Sequence, residues 1–399
     1  MGSRAGSIAI YGVNYAPEPT GIGPYTAELA EHLVDRGAVV RVITTFAHYP
    51  QWKVSSDDRG VRRRETIRGV SVTRLWSRMP KPMTGLQRLL FEMSFSFLAL
   101  FHGPGESEVV VGVIPGLGSG LAAVLHGRIR RRRVVDVIQD LAGRGLKQSG
   151  MSSARALGQL ASRAETFAVR HAHRVIAISD TFVEPLVSEG VRRERIVVLP
   201  NWGRVSKLTP SVSRSCGPPV LVHAGSMGLK QGLEQIVEAA RIAHDRGLDY
   251  RFLLVGDGSE RGRLEALARG LPNIEFRDPV PEDEFPGLLS SADVLLLCQA
   301  ASNIDMSFPS KLTAYLASGR PVVAAVPSGG SVDSFIRRTN VGLVVKSDDA
   351  TLLVNAIESL LQDEFMQASL VRAGEEFVAA EWDRDTVLAQ WAETICASQ

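Results

Sequence analysis

Short β-branched runs alternate with amphipathic stretches along this chain, and the alternation breaks once. In the first half the runs are "SIAIYGV", "VVRVITT", "VSVTRLW", "VVVGVI", "RVVDVIQD", "RVIAIS" and "IVVLP". Most carry few charges, as strands covered on both faces do. The stretches between them suit helices: "YTAELAEHLVDRG" places Leu29 and Leu33 on one face and ends at Gly37. Such a βαβ series predicts an α/β architecture with a parallel, doubly wound sheet. Over residues 201–219, "NWGRVSKLTPSVSRSCGPP", the periodicity stops and Pro, Ser and Gly accumulate, as in a linker. The series then restarts with "PVLVHAG", "RFLLVGDG", "IEFRDPV", "VLLLCQ", "PVVAAV" and "VGLVV". Two Rossmann-like domains in tandem, with a cleft between them, account for this pattern. The 399 residues exceed what one ordinary core needs.

Composition narrows the function classes. A formal charge of +2 is close to neutral for this length, so bulk electrostatics do not point to nucleic acid. Cys216, Cys298 and Cys396 are far apart and odd in number, which fits a reducing cytoplasm and neither a disulfide framework nor a CxxC metal site. Residues 1–7 lack the apolar segment of a signal peptide. The greasiest segment, "LLFEMSFSFLALF" at 89–101, is too short to span a bilayer. It reads as a core helix, or as a surface helix dipping into a membrane. The arginine run 128–133 reads first as a solvated turn, with a membrane surface as the minority reading.

Three loops are placed to meet an anion. In "NYAPEPTGIGPYTAELAEHL", Gly21 and Gly23 stand between a strand and a helix that opens near Pro24. The spacing is not that of a dinucleotide-binding GxGxxG. In "HAGSMGLKQGLEQIVEAA", Gly225, Ser226, Gly228, Lys230 and Gly232 form a turn able to surround a phosphate, although it is no Walker A loop. His223, just before it, reads as a core residue. In "FPSKLTAYLASGRPVVA", Pro309 and Ser310 open a helix and Lys311 sits in its first turn. Cations favour the other end of a helix, so a bound anion is the best account of a lysine here, although neither lysine loop carries that reading alone. Two lysines beside helix starts in one domain point to a diphosphate. No HExxH, GxSxG or DxD motif stands at a strand end.

These stretches, together with "VGDGSERGRLEALA", resemble the retaining family-4 glycosyltransferases of GT-B fold, and most of all the colanic-acid-type bacterial polysaccharide enzymes. The likeness runs over nearly the whole chain. It implies an acceptor domain over residues 1–203, a linker over 204–218 and a nucleotide-sugar donor domain over 219–379. A C-terminal helix, 380–399, would pack back on the first domain. It further implies hexosyl or N-acetylhexosaminyl transfer from a nucleotide-sugar such as UDP-GlcNAc or UDP-Glc, with retention and with neither metal nor other cofactor. The acceptor would be a saccharide on a polyprenyl lipid or a small molecule, in polysaccharide or cell-envelope biosynthesis. The chain would be cytoplasmic, with a peripheral place at the inner face of the membrane left open.

Carried over by motif, Gly21, Ile22 and Gly23 would meet the donor phosphates from the first domain. Gly225, Ser226 and Lys230 would contact the diphosphate, and Gly256, Asp257 and Gly258 would lie beside the nucleotide. Val280 and Pro281 would read the base. Asp305, Met306, Ser307, Phe308, Pro309, Ser310 and Lys311 would cradle sugar and diphosphate. Asp140, closing "RVVDVIQD", matches a catalytic position, and its plainer role is a helix cap or buried hydrogen bonder. Lys230 and Lys311 would neutralise the leaving group. Tyr15, His48, Tyr49 and Trp52 are the acceptor-side candidates, through stacking on a sugar or aromatic group; "FAHYPQW" fits core packing as well. The chain departs from the family at the usual pair of glutamates eight residues apart, where Met306 and Ala314 stand. That departure motivates the expectation of a noncatalytic nucleotide-sugar-binding partner, and tailoring of a small-molecule or carrier-bound natural product stays open because the fold of this subgroup accepts many aglycones.

Overall fold

The computed structural model describes residues 6–18, 21–48, 53–56, 58, 60–79, 85–114, 117–140, 155–203, 217–281, 283–302 and 310–397. They form two compact units: Met1–Asn201 with Asp385–Gln399, and Trp202–Arg384.

In the first unit, β1 (Ser7–Tyr11), β2 (Val39–Thr45), β3 (Arg62–Ile67), β4 (Val70–Leu75), β5 (Val109–Ile114), β6 (Arg133–Ile138), β7 (Arg174–Ala177) and β8 (Ile196–Val198) make one sheet. Its order is β3-β4-β2-β1-β5-β6-β7-β8. All pairings are parallel except β3 with β4. β5 is buried along its whole length, as a run of valines between helical layers must be. The chain winds outward on one side of β1 and then returns to β5 on the other, so the order reverses between β1 and β5.

The helix Arg384–Cys396 completes this unit from the far end of the chain. Trp391 is buried, and its Nε1 donates to Pro200 O at 2.9 Å. Arg133 donates to Thr394 O at 2.7 Å. The preceding helix stops at Glu381, and Trp382 stacks on Phe335 at 5.4 Å in the second unit's core. The terminal helix therefore begins at Arg384, not at 380.

The helix Gly85–Leu100 buries one face in the core and leaves the other exposed. Phe91, Phe95 and Ala99 are buried, while Met93, Phe97, Leu100 and the adjoining Phe101 are exposed. Among the described residues no helix is long and apolar enough to cross a membrane.

The second unit holds β9 (Val220–Ala224), β10 (Arg251–Val255), β11 (Ile274–Arg277), β12 (Val294–Cys298), β13 (Val322–Val326) and β14 (Leu343–Lys346). They are all parallel, in the order β11-β10-β9-β12-β13-β14. Here the order reverses between β9 and β12. Crevices at the carboxyl ends of strands beside such a reversal are where open α/β sheets bind ligands.

Candidate functional site

In the first unit, the loop after β1 ends at Gly21, and the helix that follows opens at Ile22, ahead of Pro24, so that Gly23 lies in its first turn. Gly21 holds φ 73°, in the left-handed region, just before the helix Ile22–Asp35. A side chain on Gly23 would meet Glu18, with a Cβ only 3.2 Å from the Glu18 Cβ and 3.3 Å from its Oε2. Glu18 is buried. Its Oε1 accepts from the His48 amide at 3.0 Å, and its Oε2 accepts from Asn14 Nδ2 at 2.7 Å. Arg74 of β4, itself buried, reaches β3, β2 and this loop by donating to Glu65, Thr45 O and Ala16 O. The glycine loop therefore rests on a buried polar scaffold.

That scaffold corrects two acceptor candidates. Tyr15 is only 1% exposed and His48 only 3%, so neither ring offers a face to a sugar. His48 packs 5.0 Å from the Phe91 ring, and its Nδ1 lies 3.1 Å from Thr45 Oγ1 and 3.0 Å from Phe46 O. Burial lowers its pKa against the opposing pull of Glu18. Tyr49 and Trp52 lie outside the described residues. Asp140 follows the end of β6, half-buried, at the same carboxyl edge of the sheet as the glycine loop. Beside it, Gln139 and Asn201 exchange side-chain amide hydrogen bonds of 3.1 and 2.8 Å.

In the second unit the sequence candidates come together at the β9 end. Gly225 N donates to Val255 O and Met227 N donates to Asp257 O, each at 2.8 Å, so the turn 225–227 lies directly on the turn 256–258. A Cβ on Gly256 would fall 1.9 Å from Gly225 O, and the residue holds φ 149°. Only glycine lets these two turns touch. Arg261 donates to Gly256 O and to Asp278, which ties the second turn to the segment leading to Val280 and Pro281. Val280 is partly buried against the core, whereas Pro281, Ser226, Asp257, Gly258 and Lys230 are exposed. The turn Leu229–Gln231 is anchored by Ala300 N donating to Lys230 O at 3.0 Å.

Lys311 lies in the first turn of the helix Ser310–Ala317. One turn further on, the Tyr315 hydroxyl donates to Ala224 O at 3.1 Å and accepts from Ala224 N at 2.8 Å, pinning the helix to the end of β9. Lys311 Nζ consequently reaches His223 Nε2 at 3.4 Å and Gln231 Oε1 at 3.2 Å. A Cβ on Gly225 would come within 3.0 Å of Nζ. Burial pulls the Lys311 pKa down to about 8. Among the described residues its hydrogen-bond acceptors are an imidazole and an amide, both neutral. Asp305, Met306, Ser307, Phe308 and Pro309, and the side chain of Ser310, lie outside the described positions. Ala314, at the position where the resemblance implies a second glutamate, packs on the core.

Glu18, Gln231 and His223 were not among the predicted site residues. The first two sit inside the candidate loops, where the glycines and Lys230 carried the signal and a lone Glu or Gln added none, and His223 interrupts an apolar strand with nothing to separate it from a core residue.

Comparison with known proteins defines the class. Residues 20–202 match the glycosyl transferase 4-like domain, and residues 218–363 match the glycosyl transferases group 1. Over 412 residues, the chain is 30% identical to the putative colanic acid biosynthesis glycosyl transferase WcaI of Escherichia coli K12, covering 97% of this chain and 99% of that protein. A sucrose-phosphate synthase from Thermosynechococcus elongatus superposes with a TM-score of 0.74 at 20% identity, covering 97% of this chain and 98% of its own. Anabaena Alr3699/HepE, solved with UDP-glucose, superposes with a TM-score of 0.71 at 17% identity, covering 98% and 100%. The architecture is the GT-B glycosyltransferase fold. The chain belongs to the group 1 glycosyltransferases and is related to enzymes of colanic acid biosynthesis.

Proposed function

We propose that this glycosyltransferase moves a hexosyl or N-acetylhexosaminyl group from a UDP-sugar, with retention and without a metal, to a saccharide carried on a polyprenyl lipid. Lys311 carries the reading. A partly desolvated cation at the reversal point of a parallel sheet, held by neutral groups alone among the described residues, calls for an anion. In the transfer, the bond from the anomeric carbon to the β-phosphate oxygen breaks as the acceptor oxygen bonds to that carbon. The acceptor proton ends on the departing diphosphate. Negative charge builds on the diphosphate as its bond breaks, and a fixed ammonium there stabilises the transition state more than the ground state. UDP is the first nucleotide to test, because HepE holds UDP-glucose on the same fold.

The lipid-borne acceptor is supported by the outer stripe of the helix Gly85–Leu100. Leu90, Met93, Phe97 and Leu98 line an apolar groove with Val61 and Trp76, and Arg78 joins them. Phe101 continues the stripe, 5.1 Å from the Phe97 ring. Arg130, from the next helix, reaches the loop beyond it at Gly105 O. Exposed aromatics beside arginines suit the interface of an anionic bilayer.

The deciding experiment is melting of the wild type and Lys311→Ala with UDP, GDP, ADP, dTDP and their sugars. A ligand at 100 times its Kd raises stability by about 2.7 kcal/mol. A shift with one nucleotide family that the variant loses supports the donor site. No shift with any nucleotide or sugar overturns it, and a shift accompanied by neither transfer nor slow hydrolysis moves the noncatalytic nucleotide-sugar-binding partner ahead.

A further inference from the structure

We propose that His223 is a positioning residue: its neutral Nε2 lone pair holds the Lys311 ammonium at the end of β9, aiming the charge at a diphosphate without cancelling it. The proposal rests on the reading of Lys311 given above.

The hydrogen bonds fix the tautomer. His223 is fully buried, and its Nδ1 lies 3.1 Å from Leu296 O. A carbonyl oxygen only accepts, so Nδ1 carries the proton and Nε2 the lone pair. Nε2 then accepts from Lys311 Nζ at 3.4 Å, and Gln231 Oε1 accepts at 3.2 Å from the opposite element. A carboxylate at either position would form an internal ion pair with which an arriving diphosphate must compete. A neutral acceptor orients the cation and leaves its charge available.

The surrounding groups keep this arrangement in one state. Burial, and then the charge of Lys311, hold the His223 pKa well below the usual imidazole value, so the ring stays an acceptor near neutral pH. Cys298 faces the site from β12 with its thiol pushed up to about 12, hence neutral. Tyr315, from the same helix as Lys311, has its hydroxyl committed to Ala224. Lys311 is therefore the group that titrates here. Diphosphate affinity falls as pH rises through about 8, because the ammonium loses its proton.

The test uses full-length wild type, His223→Asn, His223→Gln and Lys311→Met. An asparagine amide occupies the place of Nδ1 and keeps the Leu296 contact, while a glutamine amide reaches the place of Nε2 and keeps the Lys311 contact. The Lys311 titration is followed by NMR of 13Cε-labelled lysine. Binding of inorganic pyrophosphate and of UDP is followed by calorimetry from pH 6.5 to 9.5. The asparagine variant is expected to lower the Lys311 midpoint and to weaken both ligands roughly tenfold at pH 7.5, as loss of a bond to a charged group does. The glutamine variant recovers most of that loss. Should the asparagine variant not fold, His223→Leu takes its place, since an apolar side chain there buries no new polar group. A purely structural anchor on Leu296 predicts the reverse ranking, and that ranking, or an unmoved Lys311 titration, overturns the inference. If Lys311→Met abolishes binding in the same series, the diphosphate reading survives that failure. If Lys311→Met binds both ligands like wild type, the diphosphate reading falls, and with it the role of His223 in aiming the charge.

Discussion

Glu18 and His48 are locked together beneath the glycine loop: the carboxylate Oε1 is 3.0 Å from the His48 amide and 3.3 Å from its Nδ1. The other oxygen is taken by Asn14 Nδ2 at 2.7 Å. A glutamine amide has one accepting oxygen, so Glu18→Gln leaves either the buried His48 amide or the half-buried Asn14 amide facing an NH2 group. The variant is expected to lose about 1–3 kcal/mol of unfolding free energy. Urea denaturation reads this directly, and an unchanged midpoint would show that the carboxylate does not hold the loop.

Asp136 predicts the opposite sign. It is fully buried in β6, and neither carboxylate oxygen has a hydrogen-bond partner among the described residues. Burial raises its pKa well above the usual carboxylate value. A raised folded pKa means that folding retains a proton. The contribution is fully present below the unfolded value near 4 and is lost as pH climbs through the folded one. At pH 7.5 the residue therefore costs stability. Asp136→Val is expected to raise Tm, by about 2–4 °C for each kcal/mol gained, with the gain shrinking toward pH 5. A lower Tm at pH 7.5 would count against the unpartnered carboxyl.

Lys311→Ala is expected to lower kcat on the order of 100-fold, the scale for removing a fixed donor from a developing anion. Lys311→Arg should not restore it, because the planar guanidinium is larger than the space left by Gly225, His223 and Gln231. Turnover of either variant at the wild-type rate would remove Lys311 from the mechanism.

Gly256→Ala sets a methyl group 1.9 Å from Gly225 O at φ 149°. The backbone strain alone is about 1–3 kcal/mol, and the collision adds to it, so both folding of this unit and nucleotide binding should suffer. Gly262→Ala is the control. Its Cβ meets nothing within 4 Å, and the helix Arg261–Leu267 gains a better helix former. Equal melting points for the two variants would contradict the stacked turns.

The stripe proposed to meet lipid is tested by sedimentation with vesicles of phosphatidylglycerol and phosphatidylcholine. Phe97→Ser together with Phe101→Ser should reduce binding by about tenfold or more, since each exposed aromatic contributes on the order of 1–3 kcal/mol when buried. Zwitterionic vesicles should bind less than anionic ones. Equal binding by the double variant would end the membrane reading, and a concentration-dependent dimer that the variant abolishes would assign the stripe to a second copy.

The parallel strands were legible because each is an uninterrupted apolar run between turns, which burial on both faces demands. β3 was not. "RRRETI" is an exposed antiparallel edge, and edges are kept charged to discourage pairing with other chains. The lysine of the helix Ser310–Ala317 stood out because it opposes the helix dipole, whereas its acceptor His223 looked like one more member of a buried strand. Tyr15 and His48 misled for a related reason: aromatic and imidazole side chains near strand ends serve a ligand or a core equally well, and only the buried Glu18 decides between them. The break at Trp382 was hidden because helical periodicity continues across it; the indole packs in one unit while the next turn belongs to the other.

Trp391 and Thr394 join Pro200 and Arg133 only after the chain has left the first unit and come back. The second unit is thus a continuous insertion, residues 202–384, in a unit made of two separated pieces. During synthesis, the second unit has all of its residues before the first has its last helix. Domains generally fold as units while the chain emerges, so the unit that starts first is the one that finishes last. A nascent chain stopped just short of residue 385 would carry a complete second unit and a first unit lacking the helix that brings Trp391 to Pro200.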